Sequence, residues 1–342
     1  MLEKPDMPDE TLIAWLRDAF DVRATEVAFL PIGNDVDTAA YRVVVGDATP
    51  YFLKLRSWRR SGRFDPVTVA IPRFLHEHGI AQVIAPIPTY DGRLWAHLGD
   101  FAVILFPFVA GRNGFETPLS GRQWAELGAA LRAMHAVAVP PALSAQIARE
   151  TYSRHWRDRV TGLLADAEGT ACTEPVAAQM AAFLREQYAV ISHMVARADA
   201  LGDTLRASSP ASVLCHADLH AANVLLATDG ALYIVDWDTP ILAPKERDLM
   251  FIGGGVGGAW NTDREEALFY RGYGPTAIDP VALAYYRYER IIEDIAEYGE
   301  RLPLSGESGE DWAVSFVKFR AQFGPNRVVE IARRTDRVLD AQ

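Results

Sequence analysis

The 342-residue chain predicts an α+β protein of two lobes, a small antiparallel sheet followed by a mainly helical half. Three observations carry this reading. Short apolar, strand-like runs separated by turn-rich segments fill much of the first hundred positions, and the spacing turns helical from about residue 113. The length also suits two units at roughly 100–200 residues per domain. The boundaries that follow are an N-terminal lobe over 1–106, a connection over 107–112 and a helical C-terminal lobe over 113–342.

In the first lobe, "TEVAFL", "AAYRVVV", "YFLKL", "RLWAH" and "FAVILF" read as strands divided by turn-rich segments such as "PIGNDVD" and "GDATP". "VAIPRFLHEHG" is the helical pattern among them, giving a sheet that carries one helix. In the second lobe, Ser120 predicts the N-cap of a helix whose Trp124, Leu127, Leu131 and Met134 share a face. His135 closes that helix, where a packed or capping histidine is favoured by the dipole. "EPVAAQMAAFLREQYAVISHMVARADAL" and "VALAYYRYERIIEDIAEYGERL" continue the helical spacing.

An apolar content of 49% and a charged content of 23% are those of an ordinary globular protein. "MLEKPDMPDE" lacks the basic start and apolar core of a signal peptide. "FAVILFPFVAG" is far shorter than the roughly 18–20 residues of a membrane span. Cys172 and Cys215 make neither a disulfide framework nor a zinc spacing, so a reducing cytoplasm is the expected compartment. A formal charge of -11 disfavours a nucleic-acid partner and favours attraction of cations. Nothing in the patterning specifies an oligomeric state.

The stretch "VLCHADLHAANVLLATDGALYIVDWD", residues 213–238, places polar groups in an apolar setting. Asp229-Gly230 signals a two-residue hairpin. That turn would pair Thr228 with Ala231 and bring Asn223 opposite Asp236, two hard oxygen donors suited to Mg²⁺. Asp218 lies five residues before Asn223, and His216 two before that. The spacing His-x-Asp-x-x-x-x-Asn, with an Asp ending the next strand, is that of a kinase catalytic loop and metal-binding strand. Asp218 would then accept the proton of an attacking hydroxyl, while Asn223 and Asp236 hold the metal against phosphates. An Asx-rich loop satisfying its own backbone does not explain three coincident spacings. His216 and His220, four apart, lack the glutamate and third ligand of a zinc site.

Upstream, Lys54 shares a strand face with Phe52, while Leu53 and Leu55 face the other way. It sits on the third strand, where a kinase places its phosphate-binding lysine. "PIGNDVDTAAYRV" occupies the place of a phosphate loop with Gly33 as its lone glycine. "GGGVGG" at 253–258 matches G-x-G-x-x-G without a preceding strand, and reads as a tight loop.

"LCHADLHAANVLL" with "YIVDWD" resembles the aminoglycoside phosphotransferase and choline kinase group, which has a protein-kinase-like two-lobed fold. "APKERDLMFIGGGVG", "YYRYERIIEDIAEYG" and "PFVAGRNGFETPLSGRQWAELG" are similar to the spectinomycin phosphotransferases within it, over nearly the whole chain. The resemblance implies ATP- and Mg²⁺-dependent phosphorylation of the 9-hydroxyl of spectinomycin, which inactivates the antibiotic. It assigns Asp218 as base, Asn223 and Asp236 to Mg²⁺, and Lys54 to phosphate. The connection around Phe106 and Phe108 would meet adenine, and Asp248 would tie down the catalytic loop. One departure stands out. The helix glutamate that partners the kinase lysine is replaced by Ala70 or Thr68, leaving Asp65, Glu77, another group or the nucleotide itself to hold Lys54.

The acceptor is expected to be a cationic aminocyclitol; a metabolic alcohol such as choline, homoserine or a sugar is the alternative. Glu289, Glu293, Glu297 and Glu300 form a stripe opposite Tyr288, Ile291, Ile295 and Tyr298, which should face the core. From that segment Glu293 and Asp294 are nominated for the acceptor's ammonium groups, together with Asp238. A catalytically silent nucleotide-binding protein is disfavoured by the intact Asp218, Asn223 and Asp236.

Overall fold

The structure is a computed structural model and describes residues 4–33, 37–46, 50–58, 64–169, 175–304 and 310–340. Cys172 and part of the "PIGNDVD" loop lie outside the described residues. The chain forms two compact units, one of Met1–Thr117, Val137–Ile147 and Ala222–Pro240, the other of Pro118–Ala136, Ala148–Ala221 and Ile241–Gln342.

The first unit opens with α1 (Asp9–Phe20), followed by β1 (Glu26–Leu30), β2 (Thr38–Val44), β3 (Tyr51–Ser57), α2 (Val67–Glu77), β4 (Ala96–Leu98), β5 (Phe101–Pro107) and β6 (Gly111–Asn113). The five-stranded sheet runs β1-β2-β3-β5-β4, antiparallel throughout. Strand alternation divides its residues between two cores. Tyr41, Val43, Leu53, Leu55, Val103 and Leu105 pack with Leu12 and Leu16 of α1. Ala102 and Ile104, the intervening residues of β5, pack with Phe64 and with Val69 of α2. The strand reading thus missed α1, which has no side-chain N-cap and is held by tertiary burial of Leu12, Leu16 and Phe20.

The chain continues with α3 (Gly121–Ala136), α4 (Pro141–Ser144), β7 (Ala148–Arg149), α5 (His155–Gly169), α6 (Pro175–Glu186), α7 (Tyr188–Ser208) and β8 (Val213–Cys215). Next are β9 (Val224–Ala227), β10 (Leu232–Ile234), β11 (Ile241–Ala243), α8 (Glu246–Leu249), α9 (Asp263–Tyr273), α10 (Pro280–Leu304), α11 (Glu310–Ala321) and α12 (Val328–Asp340). Ser120 and Gln123 cap α3 reciprocally: each accepts the other's backbone N–H through its side-chain oxygen. The helical spacing over 174–201 is realised as two helices, α6 and α7, divided at Gln187.

Helix α10 is the axis of the second unit and packs on α5, α6, α7, α8, α11 and α12. Tyr285, Tyr286, Tyr288, Ile291, Ile292 and Ile295 are buried, as are Glu289 and Asp294 on the supposedly polar side. A helix surrounded by neighbours has no solvated face, so its acids need buried partners. The side chain of Glu300 lies outside the described residues. The glycine run reads as foreseen: Gly253, Gly255, Gly257 and Gly258 all have positive φ, and α8 rather than a strand precedes them.

Candidate active site

In the first unit, β9 and β10 form the expected hairpin with a different register. Leu226 faces Leu232 and Val224 faces Ile234, so Asn223 falls opposite Val235, whose N–H donates to the Asn223 carbonyl at 2.9 Å. The predicted Asn223–Asp236 opposition is corrected by one residue. Ala227 N–H bonds the Ala231 carbonyl, which enlarges the loop to Thr228, Asp229 and Gly230, with Gly230 in left-handed backbone at φ 88°. That is the three-residue hairpin with an αL glycine, the next commonest after the two-residue turn. Asp236 itself has φ 66°, where a non-glycine residue costs about 1–3 kcal/mol. Its carboxylate direction is therefore set by a backbone turn rather than by strand alternation.

Lys54 reaches this turn. Its Nζ lies 2.8 Å from Asp236 Oδ1 and 3.0 Å from Asp238 Oδ2, and Arg56 NH1 contacts Asp238 Oδ1 at 2.9 Å. Burial acts to lower the Lys54 ammonium's pKa, but the charges of Asp238 and Asp236 outweigh it and raise the value. The acid partners of Lys54 are thus Asp236 and Asp238. Asp65 instead accepts the Val67 N–H at the start of α2, and Glu77 pairs with Arg73 at 2.6 Å. Asp238, nominated for the acceptor, is engaged by two cations of its own unit.

The donor set fits a hard cation: an amide oxygen and a carboxylate near the hairpin end, the carboxylate already attracting an ammonium. Phe106 pairs with Phe52 across β5 and β3, with ring centroids 6.4 Å apart. The Phe108 N–H donates to the Pro50 carbonyl at 3.2 Å, and the Arg42 guanidinium lies 5.4 Å from the centre of the Phe108 ring.

The second unit holds Asp218. Arg290 NH1 donates to its Oδ1 at 3.0 Å, and His220 Nε2 lies 3.3 Å from its Oδ2. Burial would push the Asp218 carboxyl up, but the His220 hydrogen bond and the charges of Arg290, His220 and His216 carry it well below the usual carboxylate range. Arg290 also contacts Asp294 Oδ1 at 3.2 Å and Glu293 Oε2 at 3.9 Å, so both acids nominated for the acceptor share its guanidinium. Burial raises the Asp294 pKa against the opposing charge of Arg290.

Behind the loop, fully buried Asp248 accepts the N–H groups of His216 at 2.9 Å and Ala217 at 2.7 Å. Ala217 has φ 71°, and these bonds hold that strained turn. His135 Nε2 lies 3.1 Å from Asp248 and its Nδ1 2.9 Å from the Tyr273 hydroxyl, making it the packed histidine expected at the end of α3. The neighbouring Cys215 thiol, pushed up by burial, lies 3.6 Å from the Ala243 and Pro244 carbonyls. His135 and Asp248 bond each other, and the Cys215 thiol beside them is taken up by backbone carbonyls, so the ligand atoms of all three are already engaged. Sequence reasoning missed Arg290: its spacing to Asp294 reads as an ordinary i,i+4 helix pair, and nothing local reveals the distant Asp218.

The sequence model of the phosphotransferase enzyme family (APH) matches residues 28–286. The chain belongs to this family. Like its other members, this phosphotransferase has a protein-kinase-like fold with an antiparallel-sheet lobe and a helical lobe, and it is a small-molecule kinase. It is 38% identical to the spectinomycin phosphotransferase APH(9)-Ia solved with ADP and spectinomycin, at a TM-score of 0.89, covering 97% of this chain and 99% of that one. Against the AMP complex of APH(9)-Ia the identity is 37% and the TM-score 0.84, over 95% and 98% of the two chains. Protein StrN of Streptomyces griseus is 27% identical over 306 residues, 86% of each chain.

Proposed function

We propose that this phosphotransferase transfers the γ-phosphoryl group of ATP, bound with Mg²⁺, to a hydroxyl of a cationic aminocyclitol, the 9-hydroxyl of spectinomycin, and so inactivates the antibiotic. The 38% identity to a spectinomycin phosphotransferase over nearly the entire length of both chains carries the reading. The cytoplasm supplies its ATP. Residues 1–106 are the nucleotide lobe, 107–112 the hinge and 113–342 the lobe of the catalytic loop and acceptor. Phe106 and Phe108 border the adenine, and Lys54 holds the phosphates.

Asn223 and Asp236 hold Mg²⁺, which when bound neutralises phosphate charge. Asp218 orients the acceptor hydroxyl. The hydroxyl oxygen attacks the γ-phosphorus, the bond to the β,γ-bridging oxygen breaks with its electrons leaving on ADP, and the hydroxyl proton passes to Asp218. A carboxylate of such low basicity suits a loose transition state, in which the proton moves late and orientation matters more than proton affinity. Glu293 and Asp294 serve the ammonium groups of the acceptor, while Asp238, paired with Lys54 and Arg56, belongs to the nucleotide side.

The test is ATP consumption across spectinomycin, aminoglycosides and choline, with the phosphorylated position located by NMR. Spectinomycin phosphorylated at its 9-hydroxyl supports the reading, and Asp218→Ala should lower that turnover about 10²–10⁴-fold while ATP affinity persists. Phosphorylation of choline with spectinomycin untouched would overturn it.

A further inference from the structure

Arg290 is the one cation that bridges the catalytic loop and helix α10 at Asp218 among the described residues. One branch of its guanidinium donates to Asp218 Oδ1 at 3.0 Å and the other contacts Asp294 Oδ1 at 3.2 Å. Its stem rises from a helix whose next residues, Ile291 and Ile292, are 1% and 0% exposed, so the anchor point cannot drift. A planar fork held at both ends fixes direction as well as distance, which an ammonium on a flexible chain does not.

The Asp218 carboxylate offers about four lone-pair positions. Arg290 takes one on Oδ1 and His220 approaches Oδ2, so the rotation of the carboxylate plane is set before any hydroxyl arrives. The titratable and charged groups facing Asp218 are His216, His220 and Arg290, with Glu293 and Asp294 behind the guanidinium.

We propose that Arg290 is a positioning residue for phosphoryl transfer, its guanidinium tied to Asp294 at one end and fixing the rotamer of Asp218 at the other. The inference rests on the reading of Asp218 as the group that orients the acceptor hydroxyl. A merely structural bridge would affect how much protein folds; a positioning residue changes the turnover of the protein that has folded.

The experiment is a double-mutant cycle in the full chain with ATP and spectinomycin, each rate normalised to the fraction of protein that binds ATP. Arg290→Met is expected to lower kcat about 10–100-fold with the KM for ATP unchanged, the scale of a small misplacement of a reacting group. Arg290→Lys, which keeps the charge without the fork, should recover part of that loss. Because Arg290 acts through Asp218, the double variant Asp218→Asn/Arg290→Met should be no slower than Asp218→Asn alone.

Wild-type kcat in Arg290→Met, or losses that multiply in the double variant, would overturn the inference while leaving Asp218 in place. If Arg290→Met does not fold, Arg290→Lys decides: a several-fold loss of kcat supports the fork, and wild-type kcat refutes it. Near wild-type turnover in Asp218→Asn would instead sink the underlying reading of the loop.

Discussion

Lys54 Nζ sits between two carboxylates, 2.8 Å from Asp236 and 3.0 Å from Asp238, and Arg56 shares the second at 2.9 Å. In most kinases an acid on the helix of the small lobe orients this lysine. Here Lys54 is paired instead with the two acids of the DWD segment, Asp236 and Asp238. Asp238→Ala should therefore raise the KM for ATP about tenfold, the loss of one charge-assisted hydrogen bond at roughly 1.5 kcal/mol, with little change in acceptor KM. Steady-state kinetics with each substrate varied separates the two. An acceptor KM that rises alone would place Asp238 on the acceptor side.

The hairpin end predicts unequal responses from its two oxygen donors. Asp236→Ala should weaken ATP binding and turnover together, and Asn223→Ala should do so more mildly, since an amide carries no formal charge. Turnover measured against magnesium concentration checks this. A wild-type magnesium requirement in Asp236→Ala would remove the hairpin from the metal site.

Glu293 and Asp294 differ in their hold on Arg290, at 3.9 and 3.2 Å. Glu293→Gln disturbs the guanidinium less and should raise the acceptor KM with kcat nearly retained. Asp294→Asn should raise the acceptor KM and lower kcat as well, because it also frees one end of the fork. Unchanged acceptor KM in both variants would leave these acids as helix electrostatics only.

Glu289 links stability to pH. Burial pushes its carboxyl up to about 7 despite the opposing charges of Arg157 and Arg247. A group that binds its proton more tightly when folded contributes stability that is full below the ordinary glutamate range and lost as pH rises through its folded value. The thermal midpoint should accordingly fall as pH rises from the ordinary glutamate range to about 7 and level off above it, and Glu289→Gln should flatten that slope. Arg157 would still contact Asp199 at 2.8 Å and the Tyr152 and Ser153 carbonyls, so the variant should fold. The same slope in wild type and variant would exclude Glu289 as its source.

The sequence by itself determined the elements whose signals are local. Short apolar runs between turn-rich segments marked β1, β2, β3 and β5, Ser120 marked the start of α3, and the His216–Asp218–Asn223 spacing marked the candidate catalytic loop. Each depends on residues within a few positions of one another, where backbone geometry fixes which side chains share a face. Tertiary structure decided what depends on partners far along the chain. Burial against the sheet holds α1, although its capping signal is weak. The hairpin register slipped by one residue because Thr228 joined the loop, a choice between two turns of similar stability that the DG pair alone does not make. The partners of Lys54 are 182 and 184 residues away, and that of Arg290 is 72. No local period encodes such pairs, because they exist only once burial has stripped the charges of water and made a nearby opposite charge the cheapest replacement.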